Sequence, residues 1–255
     1  MWSAGDYDRI ARGFRHEAVE FVDRLGLLPS DKVLNVACGT GNLTIPAARS
    51  GADVTGLDLI PTLLEAAAEW AYREGLDVSL DHGNAEDLPY ERGQFDIVMS
   101  MFGVIFAARP DRVVAGLERV TRRGGRVAIA SWTRSGFVGE LLARHAAYLP
   151  PPAGMPSPLL WGDESVIHQR FPKESWNVKT RRRTLTLRYP YTAAGTAKLF
   201  RIAYGPTVRT FDALDHARSE LLAADLLDHW STHRHPGKRT TEVDAEYLEI
   251  IAIRR

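Results

Sequence analysis

Hydrophobic positions along the first half of the chain alternate between short apolar runs and helical periodicity. Runs of this kind are typical of strands that are buried on both faces of a sheet. They predict strands at 33–37, 53–58, 78–81, 95–100 and 126–132. Helical spacing between the runs predicts helices at about 5–28, 42–50, 61–74 and 111–122. Because strand and helix alternate, we expect a parallel sheet with helices on both faces.

The pattern changes after residue 132. We expect helices at 136–149, 163–171, 193–204 and 207–230, with Gly205-Pro206 separating the last two. An alternating segment at 177–189 and an apolar run at 247–253 predict two further strands. Proline-rich residues 150–158 and polar residues 233–239 predict loops.

Composition narrows the function classes. A chain of 255 residues with zero formal net charge fits one domain and shows no basic footprint for nucleic acid. The local run 181–183 of arginines is interpreted as a solvated strand face rather than a polyanion site. Cys38 is the single cysteine, and no apolar run reaches the ~18 residues of a membrane span. We therefore expect a cytoplasmic protein; its preference for arginine over lysine suggests a bacterial source.

The segment 33–42, Val-Leu-Asn-Val-Ala-Cys-Gly-Thr-Gly-Asn, joins a predicted strand to a glycine turn and a helix start. Gly39 and Gly41 let the backbone bend sharply and approach a ligand. A phosphate loop would need a Gly-Lys pair that is absent. A dinucleotide fingerprint would need a third glycine where Thr44 stands.

Ala37-x-Gly39-x-Gly41 resembles motif I of the class I S-adenosylmethionine-dependent methyltransferases, in particular the type 11, ubiquinone/menaquinone-methyltransferase-like group. Motifs similar to that family's second and third follow at the expected spacing, as Asp58 and as His82-Gly-Asn-Ala-Glu-Asp-Leu-Pro89. The resemblance implies S-adenosylmethionine as cofactor and strand order 3-2-1-4-5-7-6 with the last strand antiparallel. It implies cofactor contacts from the turn, from strand ends and from an N-terminal lid: Tyr7, Asn35, Ala37, Gly39, Gly41, Asn42, Asp58, Leu59, Asn84, Ala85, Ser100 and Met101.

Two of these positions depart from the family pattern. Asn35 and Asn84 stand where members usually carry aspartate, so each removes a negative charge near a cationic sulfonium ligand. One hypothesis is weaker cofactor binding or poorer discrimination against S-adenosylhomocysteine; the alternative is a neutral exchange. Asp58, which the family uses to bind the ribose hydroxyls, has the alternative role of a helix cap before Pro61.

The resemblance also places the fourth strand beside the methionine part of the cofactor. Met101, Phe102, Ile105 and Phe106 would then form an apolar wall, although they would also suit an ordinary core. Tyr7 is expected to close on the methionine moiety; simple packing is the alternative. No metal is expected, because His-Glu-x-x-His is absent and His233 and His235 fall in a predicted loop.

A general base is not identifiable from the sequence. Tyr7, His145 and His168 are weak catalytic candidates, and methyl transfer from a sulfonium needs a base only when the acceptor must lose a proton. Aromatic residues after 136 are expected to line the pocket for the methyl acceptor together with Phe102: Tyr148, Trp161, Phe200 and Tyr204.

The sequence therefore predicts a methyltransferase that modifies oxygen, nitrogen or carbon of a small, partly apolar metabolite, in bacterial secondary metabolism. It predicts a monomer or homodimer with one domain, 1–255, divided into an N-terminal lid and helix (1–30), a cofactor-binding core (31–135), a cap (136–240) and a last strand (241–255). Three alternatives stay open: a non-methylating, cyclase-type enzyme that retains the cofactor, a nicotinamide oxidoreductase, and a non-catalytic binder.

Overall fold

The computed structural model describes residue 2 and residues 4–255. In this part of the chain the strands are β1 Lys32–Val36, β2 Asp53–Asp58, β3 Ser79–His82, β4 Phe95–Met101, β5 Thr121–Trp132, β6 Trp176–Tyr189 and β7 Thr241–Arg254. The α-helices are α1 Tyr7–Ala11, α2 Arg15–Leu25, α3 Thr44–Arg49, α4 Pro61–Glu74, α5 Pro110–Val120, α6 Phe137–Tyr148, α7 Glu164–Arg170, α8 Ala193–Ala203, α9 Gly205–Asp212 and α10 His216–His233. Short 3₁₀ helices lie at Arg12–Phe14, Val104–Phe106 and Pro158–Gly162.

The strands form one sheet in the order β3-β2-β1-β4-β5-β7-β6, which confirms the predicted order. β1 to β5 pair in parallel, and Val33 of β1 lies opposite Val54 of β2 and Ile97 of β4. β7 is antiparallel to β5, with Trp132 opposite Tyr247. β1 and β4 lie inside the sheet and are almost entirely buried, as their continuous apolar runs require.

Helix ends follow local chemistry. Pro61 begins α4, where its missing N–H costs no intrahelical bond, and Gly75 ends it in the left-handed conformation at φ 65°. α5 also begins at a proline, Pro110, and buries Val113 and Leu117 on one face. These boundaries agree with the sequence predictions within one or two residues.

Two helices that were predicted as continuous are each divided into shorter helices in the structure. The expected helix at 207–230 is two helices, because Asp215 caps a new helix by accepting a hydrogen bond from the Arg218 N–H at 2.8 Å. Gly205-Pro206 does not separate the helices but begins α9, since proline is tolerated in a first turn. The expected N-terminal helix at 5–28 is α1, a 3₁₀ turn and α2.

The fifth strand also starts earlier than predicted. β5 begins at Thr121, and its register against β4 shifts between the pairs Phe95–Thr121 and Ile97–Arg126, which marks an irregularity in the strand. Gly124 lies within this irregularity with φ 75°, and a Cβ on Gly125 would lie 2.7 Å from the Asp96 carbonyl oxygen. The predicted glycine turn is therefore an irregularity within a strand.

Backbone contacts divide the chain into two compact units. The sheet unit comprises residues 16–132, 156–183 and 247–255, and the helical unit comprises 2, 4–15, 133–155 and 184–246. The predicted division into lid, core, cap and last strand stays a prediction. Across residues 2 and 4–255, the helices are too short or too polar to cross a membrane.

A buried cluster of charges links α2 to β6 and β7 inside the sheet unit. The Glu17 carboxylate accepts hydrogen bonds from the Tyr247 hydroxyl at 2.5 Å and from the Arg24 guanidinium at 2.7 Å. Arg24 also lies 2.9 Å from Glu249, which pairs with Arg183 at 2.8 Å. Two acids and two bases thus balance each other, which offsets the cost of removing them from water.

We predict that Tyr247→Phe lowers the free energy of unfolding by about 1–3 kcal/mol, because the buried Glu17 carboxylate loses a hydrogen bond while the aromatic ring is retained. Urea denaturation measures the change. Tyr72→Phe is the matched control, since Tyr72 is 86% exposed, and its effect should stay within about 0.5 kcal/mol. Equal losses in the two variants would show that the cluster contributes nothing.

Candidate cofactor site at the strand ends

The carboxyl ends of β1, β2, β3 and β4 meet at one edge of the sheet unit. Val36 lies opposite Leu57, and Asp58 lies opposite His82. A glycine-rich turn follows β1, and the polar segment Gly83-Asn84 follows β3. In open parallel sheets this edge is where ligands bind, so the predicted cofactor residues of the sheet unit are gathered where a ligand is expected.

The turn after β1 adopts an unusual backbone. Ala37, Gly39 and Gly41 have positive φ angles of 55°, 55° and 91°. A Cβ at Gly41 would lie 3.3 Å from Ile45 and 3.4 Å from Ala67, so this glycine also permits close packing against α4. Ala37 carries a Cβ in a conformation that costs about 1–3 kcal/mol, and such strain clusters at functional sites.

Asp58 is the buried carboxylate of the site, with 6% of its surface exposed. Its two oxygens accept hydrogen bonds from the backbone N–H groups of Gly39 at 2.7 Å and Ile60 at 2.9 Å. Burial raises the pKa of the Asp58 carboxyl, while these N–H groups act in the opposite direction. A carboxylate offers about four acceptor positions, so Asp58 can hold the turn and still accept from a pair of ligand hydroxyls. Leu59, the next residue, is exposed.

Four polar side chains are buried in or beside the turn. The Asn35 Nδ2 group donates to the Thr44 hydroxyl at 2.9 Å. The other amide atom, Asn35 Oδ1, and the Thr40 hydroxyl are buried with no hydrogen-bond partner in the described structure. Unpaired buried oxygens are costly, and their presence beside a strained glycine turn fits a polar ligand such as S-adenosylmethionine. Asn42 is buried in the same turn.

The segment after β3 is held by its own side chains. The Asn84 Oδ1 atom accepts the Glu86 N–H at 2.9 Å, and Gly83 donates its N–H to the Asp58 carbonyl at 3.0 Å. Glu86 in turn pairs with Arg109 at 2.6 Å. Asn84 is therefore fixed in orientation, with one lone pair of its oxygen still free for a ligand. Ala85 beside it is partly exposed.

The chain after β4 is strained where it passes the first turn. Phe102 has φ 57°, and its ring stacks on Trp132 with 3.5 Å between centroids. A Cβ on Gly103 would lie 2.6 Å from the Ala37 Cβ, so the two strained segments are in direct contact. Met101 is buried next to them, and the Ser100 hydroxyl accepts the Val104 N–H at 3.3 Å.

The predicted apolar wall and acceptor residues are divided between the units. Phe102, Ile105 and Trp161 are buried in the sheet unit, where the Arg170 guanidinium lies 4.4 Å from the centre of the Trp161 ring. Phe106 is partly exposed. The remaining acceptor residues belong to the helical unit: Tyr148, Phe200 and Tyr204. A role in acceptor binding stays a prediction for all of these residues.

The acceptor candidates Phe200 and Tyr204 of the helical unit take part in aromatic packing. Phe200 and Tyr204 are buried with ring centroids 5.3 Å apart, and Phe200 lies 4.7 Å from Trp230. Trp2 makes edge contacts with Tyr7 at 5.4 Å and with Tyr204 at 5.8 Å. The aromatic N-terminal residues are thus packed, as their composition predicts, and closure of Tyr7 over the cofactor stays a prediction.

The two histidine candidates for catalysis differ in environment. His145 is buried in the helical unit with Nε2 2.9 Å from the Thr207 hydroxyl, and burial lowers its pKa to about 4. His168 is exposed on α7 of the sheet unit. A catalytic role stays a prediction for both. Sequence reasoning did not include Thr40 and Thr44 in the site, although hydroxyl residues inside an otherwise apolar turn and helix were the available signal.

Comparisons with known proteins agree with this geometry. The model of a family described as "Methyltransferase domain" matches residues 34–129. An uncharacterized protein of Mycobacterium tuberculosis is 38% identical over 216 residues, which cover 84% of this chain and 79% of that protein. A demethylmenaquinone methyltransferase of Renibacterium salmoninarum is 34% identical over 128 residues, 50% of this chain and 52% of its own length. The YcgJ protein of Bacillus subtilis has the same fold, with a TM-score of 0.65 at 18% identity over 94% of this chain and 99% of that chain.

Asp58→Ala should weaken S-adenosylmethionine binding roughly 10- to 100-fold, because hydrogen bonds to a charged group contribute about 1.5–3 kcal/mol. The rise of the thermal midpoint on adding S-adenosylmethionine measures the binding. Each variant is compared with its own unliganded midpoint, because Asp58→Ala also removes the acceptor for two N–H groups and so lowers stability by itself. Asp53→Ala, at the exposed opposite end of β2, is the control. S-adenosylhomocysteine should also stabilise the native chain and NAD should not. If S-adenosylmethionine raised the thermal midpoint of Asp58→Ala as much as that of the native chain, Asp58 would not be a binding residue.

Asn35→Asp and Asn84→Asp should each raise the affinity for S-adenosylmethionine relative to S-adenosylhomocysteine. The restored negative charge attracts the sulfonium of S-adenosylmethionine and not the neutral thioether of S-adenosylhomocysteine. This attraction is worth roughly 1 kcal/mol, which is about a fivefold change in the ratio of the two affinities. Calorimetric titration of both ligands gives the ratio, and Asn177→Asp on the exposed part of β6 controls for added charge. Unchanged ratios would identify the asparagines as neutral exchanges.

Proposed function

We propose that this chain, which belongs to the class I S-adenosylmethionine-dependent methyltransferases, methylates oxygen, nitrogen or carbon of a small, partly apolar metabolite. Its cofactor is S-adenosylmethionine. The observation that carries the proposal is Asp58, a buried carboxylate bonded to the glycine turn and placed at the end of β2 with acceptor positions to spare. This arrangement suits the paired hydroxyls of a ribose.

The proposed division of labour among the cofactor residues follows the strand ends. Asp58 would bind the ribose, and Asn84 with Ala85 would bind the adenine edge. The turn from Ala37 to Gly41 would lie against the methionine part. S-adenosylmethionine supplies, when bound, a methyl group that is already activated by its sulfonium. Ala37 and Phe102 are strained, and their segments touch where Gly103 lies against Ala37, which supports a rigid, preorganised site.

Positioning is the proposed source of rate acceleration. In-line displacement requires the acceptor atom and the methyl carbon to be held close and aligned, and good alignment alone is worth about 7–11 kcal/mol. A proton acceptor is required only if the substrate atom is protonated. His145 is neutral near pH 7 by its lowered pKa and is already bonded to Thr207, so acceptors that need no strong base fit this chain best.

The proposed acceptor is small and partly apolar. Phe102 and Trp161 of the sheet unit are aromatic and buried, and the zero net charge of the chain provides no general attraction for a polyanion. Bacterial secondary metabolism, which offers many small aromatic and polyketide-like acceptors, is the proposed setting.

A non-methylating, cyclase-type reaction is the second candidate. Two observations favour keeping it: Asn35 and Asn84 lack the charge that would attract a sulfonium, and the buried His145 is engaged by Thr207. In such an enzyme the same residues would hold the cofactor as a fixed part of the site.

One experiment separates the two candidates. Purified chain is incubated with S-adenosylmethionine and a panel of phenols, hydroquinones, amines and polyketide-like alcohols, and products are analysed by mass spectrometry. Methyl transfer gives a product heavier by one methylene unit with equal release of S-adenosylhomocysteine. Asp58→Ala should raise the S-adenosylmethionine concentration needed for half-maximal rate roughly 10- to 100-fold, while Asp53→Ala should leave it unchanged. A product isomeric with its substrate, formed without S-adenosylhomocysteine, would support the cyclase.

A further inference from the structure

The helical unit contains a cluster of three side chains with the chemistry of metal ligands. Glu140 lies on α6, and His229 and His233 lie one turn apart on α10. Residues at i and i+4 share a helix face, so both imidazoles point the same way. One ligand atom from each of the three side chains lies within 4.8 Å of the other two.

Neighbouring carbonyls fix the tautomers of both imidazoles. His229 Nε2 lies 3.0 Å from the Phe137 carbonyl oxygen, and His233 Nδ1 lies 2.9 Å from the His229 carbonyl oxygen. A carbonyl only accepts, so each of these nitrogens carries the proton. The free lone pairs are then on His229 Nδ1 and His233 Nε2, the atoms that face Glu140. Metal-binding histidines are oriented in this way by their second nitrogen.

His229 supplies a buried nitrogen atom that points into the cluster. Its side chain is fully buried, and its Nδ1 atom has no hydrogen-bond partner among the described residues. The Glu140 Oε2 atom lies 3.8 Å from His229 Nδ1 and 3.5 Å from His233 Nε2, which is too long for hydrogen bonds. When both imidazoles are neutral, three electron-pair donors therefore converge without a proton between them, an arrangement that a cation would satisfy.

We propose that Glu140, His229 and His233 bind one divalent transition-metal ion of the zinc class, with a fourth position open to water. Tetrahedral zinc with ligands at about 2.0–2.2 Å holds ligand atoms about 3.3 Å apart, so the Glu140 distances need to shorten by only a few tenths of an ångström. Two imidazoles with one carboxylate favour zinc, cobalt or nickel over magnesium or calcium.

The surroundings suit such an ion. Glu140 and His233 have 40% and 35% of their side chains exposed, which leaves a route for the metal and freedom to adjust. The Phe137 ring stacks on His229 with 4.2 Å between centroids and shields the inner side. Arg144, the nearest cation on α6, lies 3.2 Å from Asp225, which compensates its charge. The ion would fasten α6 to α10.

The sequence-based expectation of no metal rested partly on placing His233 in a loop. His233 is instead the last residue of α10. The helix places His233 on the same face of α10 as His229, and the packing of α6 against α10 brings Glu140 next to both histidines. Nothing in this inference depends on the proposed methyl transfer.

The test uses full-length, tag-free protein stripped with chelator and titrated with zinc by calorimetry and with cobalt by visible spectroscopy. We expect one zinc per chain, a raised thermal midpoint, and the visible bands of tetrahedral cobalt. Glu140→Gln and His233→Ala, both at partly exposed positions that should not prevent folding, should each weaken zinc binding by roughly tenfold or more.

His216→Ala and His235→Ala are the matched controls, since both histidines are outside the cluster, and they should bind zinc as the native chain does. Asp58→Ala should also bind zinc normally, which keeps this result separate from the cofactor site. Absence of zinc binding at millimolar concentration, or equal losses in the control variants, would overturn the proposal.

Discussion

The parallel pairing of β1 with β2 and β4 is the constraint on which the site depends. Asn35 lies opposite Gly56 on one side and Met99 on the other, and this register fixes where each strand ends. A slip by one residue would turn every side chain to the opposite face. Asp58 would then lose the Gly39 N–H, and the turn after β1 would lose its anchor. The apolar side chains that bury both faces of these strands thus also determine the geometry of the polar site.

The same edge of the sheet carries most of the local cost found in the sheet unit. Ala37 and Phe102 have left-handed backbone conformations, Asp58 is buried, and Asn35 Oδ1 is unpaired. Each is unfavourable without a ligand, and each is typical of sites that bind one tightly. Stability is provided elsewhere, by the apolar side chains of the buried strands. The separation explains how a strained site persists in a stable unit.

Local sequence was sufficient to predict the five parallel strands and the turn after β1, and the family resemblance supplied the order of the strands. Continuous apolar runs cannot face water, so the parallel sheet followed from them, and Pro61 and Gly75 marked the ends of α4 by their own backbone preferences. The prediction from local sequence failed at Asp215, whose side chain caps a new helix where one continuous helix was expected. It also failed at β5, where an irregularity inside the strand accommodates Gly124. Such outcomes depend on partners that are distant in sequence or on small differences in local energy.

The sequence by itself determined that the chain has a parallel sheet and that Asp58 ends its second strand, because both follow from periodicity, and the resemblance of its motifs implied the class I methyltransferase order of that sheet. Only the tertiary structure decided which buried atoms lack partners and which distant residues meet. The contact of Gly103 with Ala37, the charge cluster around Glu17, and the approach of Glu140 to His229 and His233 join positions that are far apart in the chain. The sequence gives the chemical type of each side chain. Which side chains meet depends on how the helices and strands pack, and that packing depends on the whole fold.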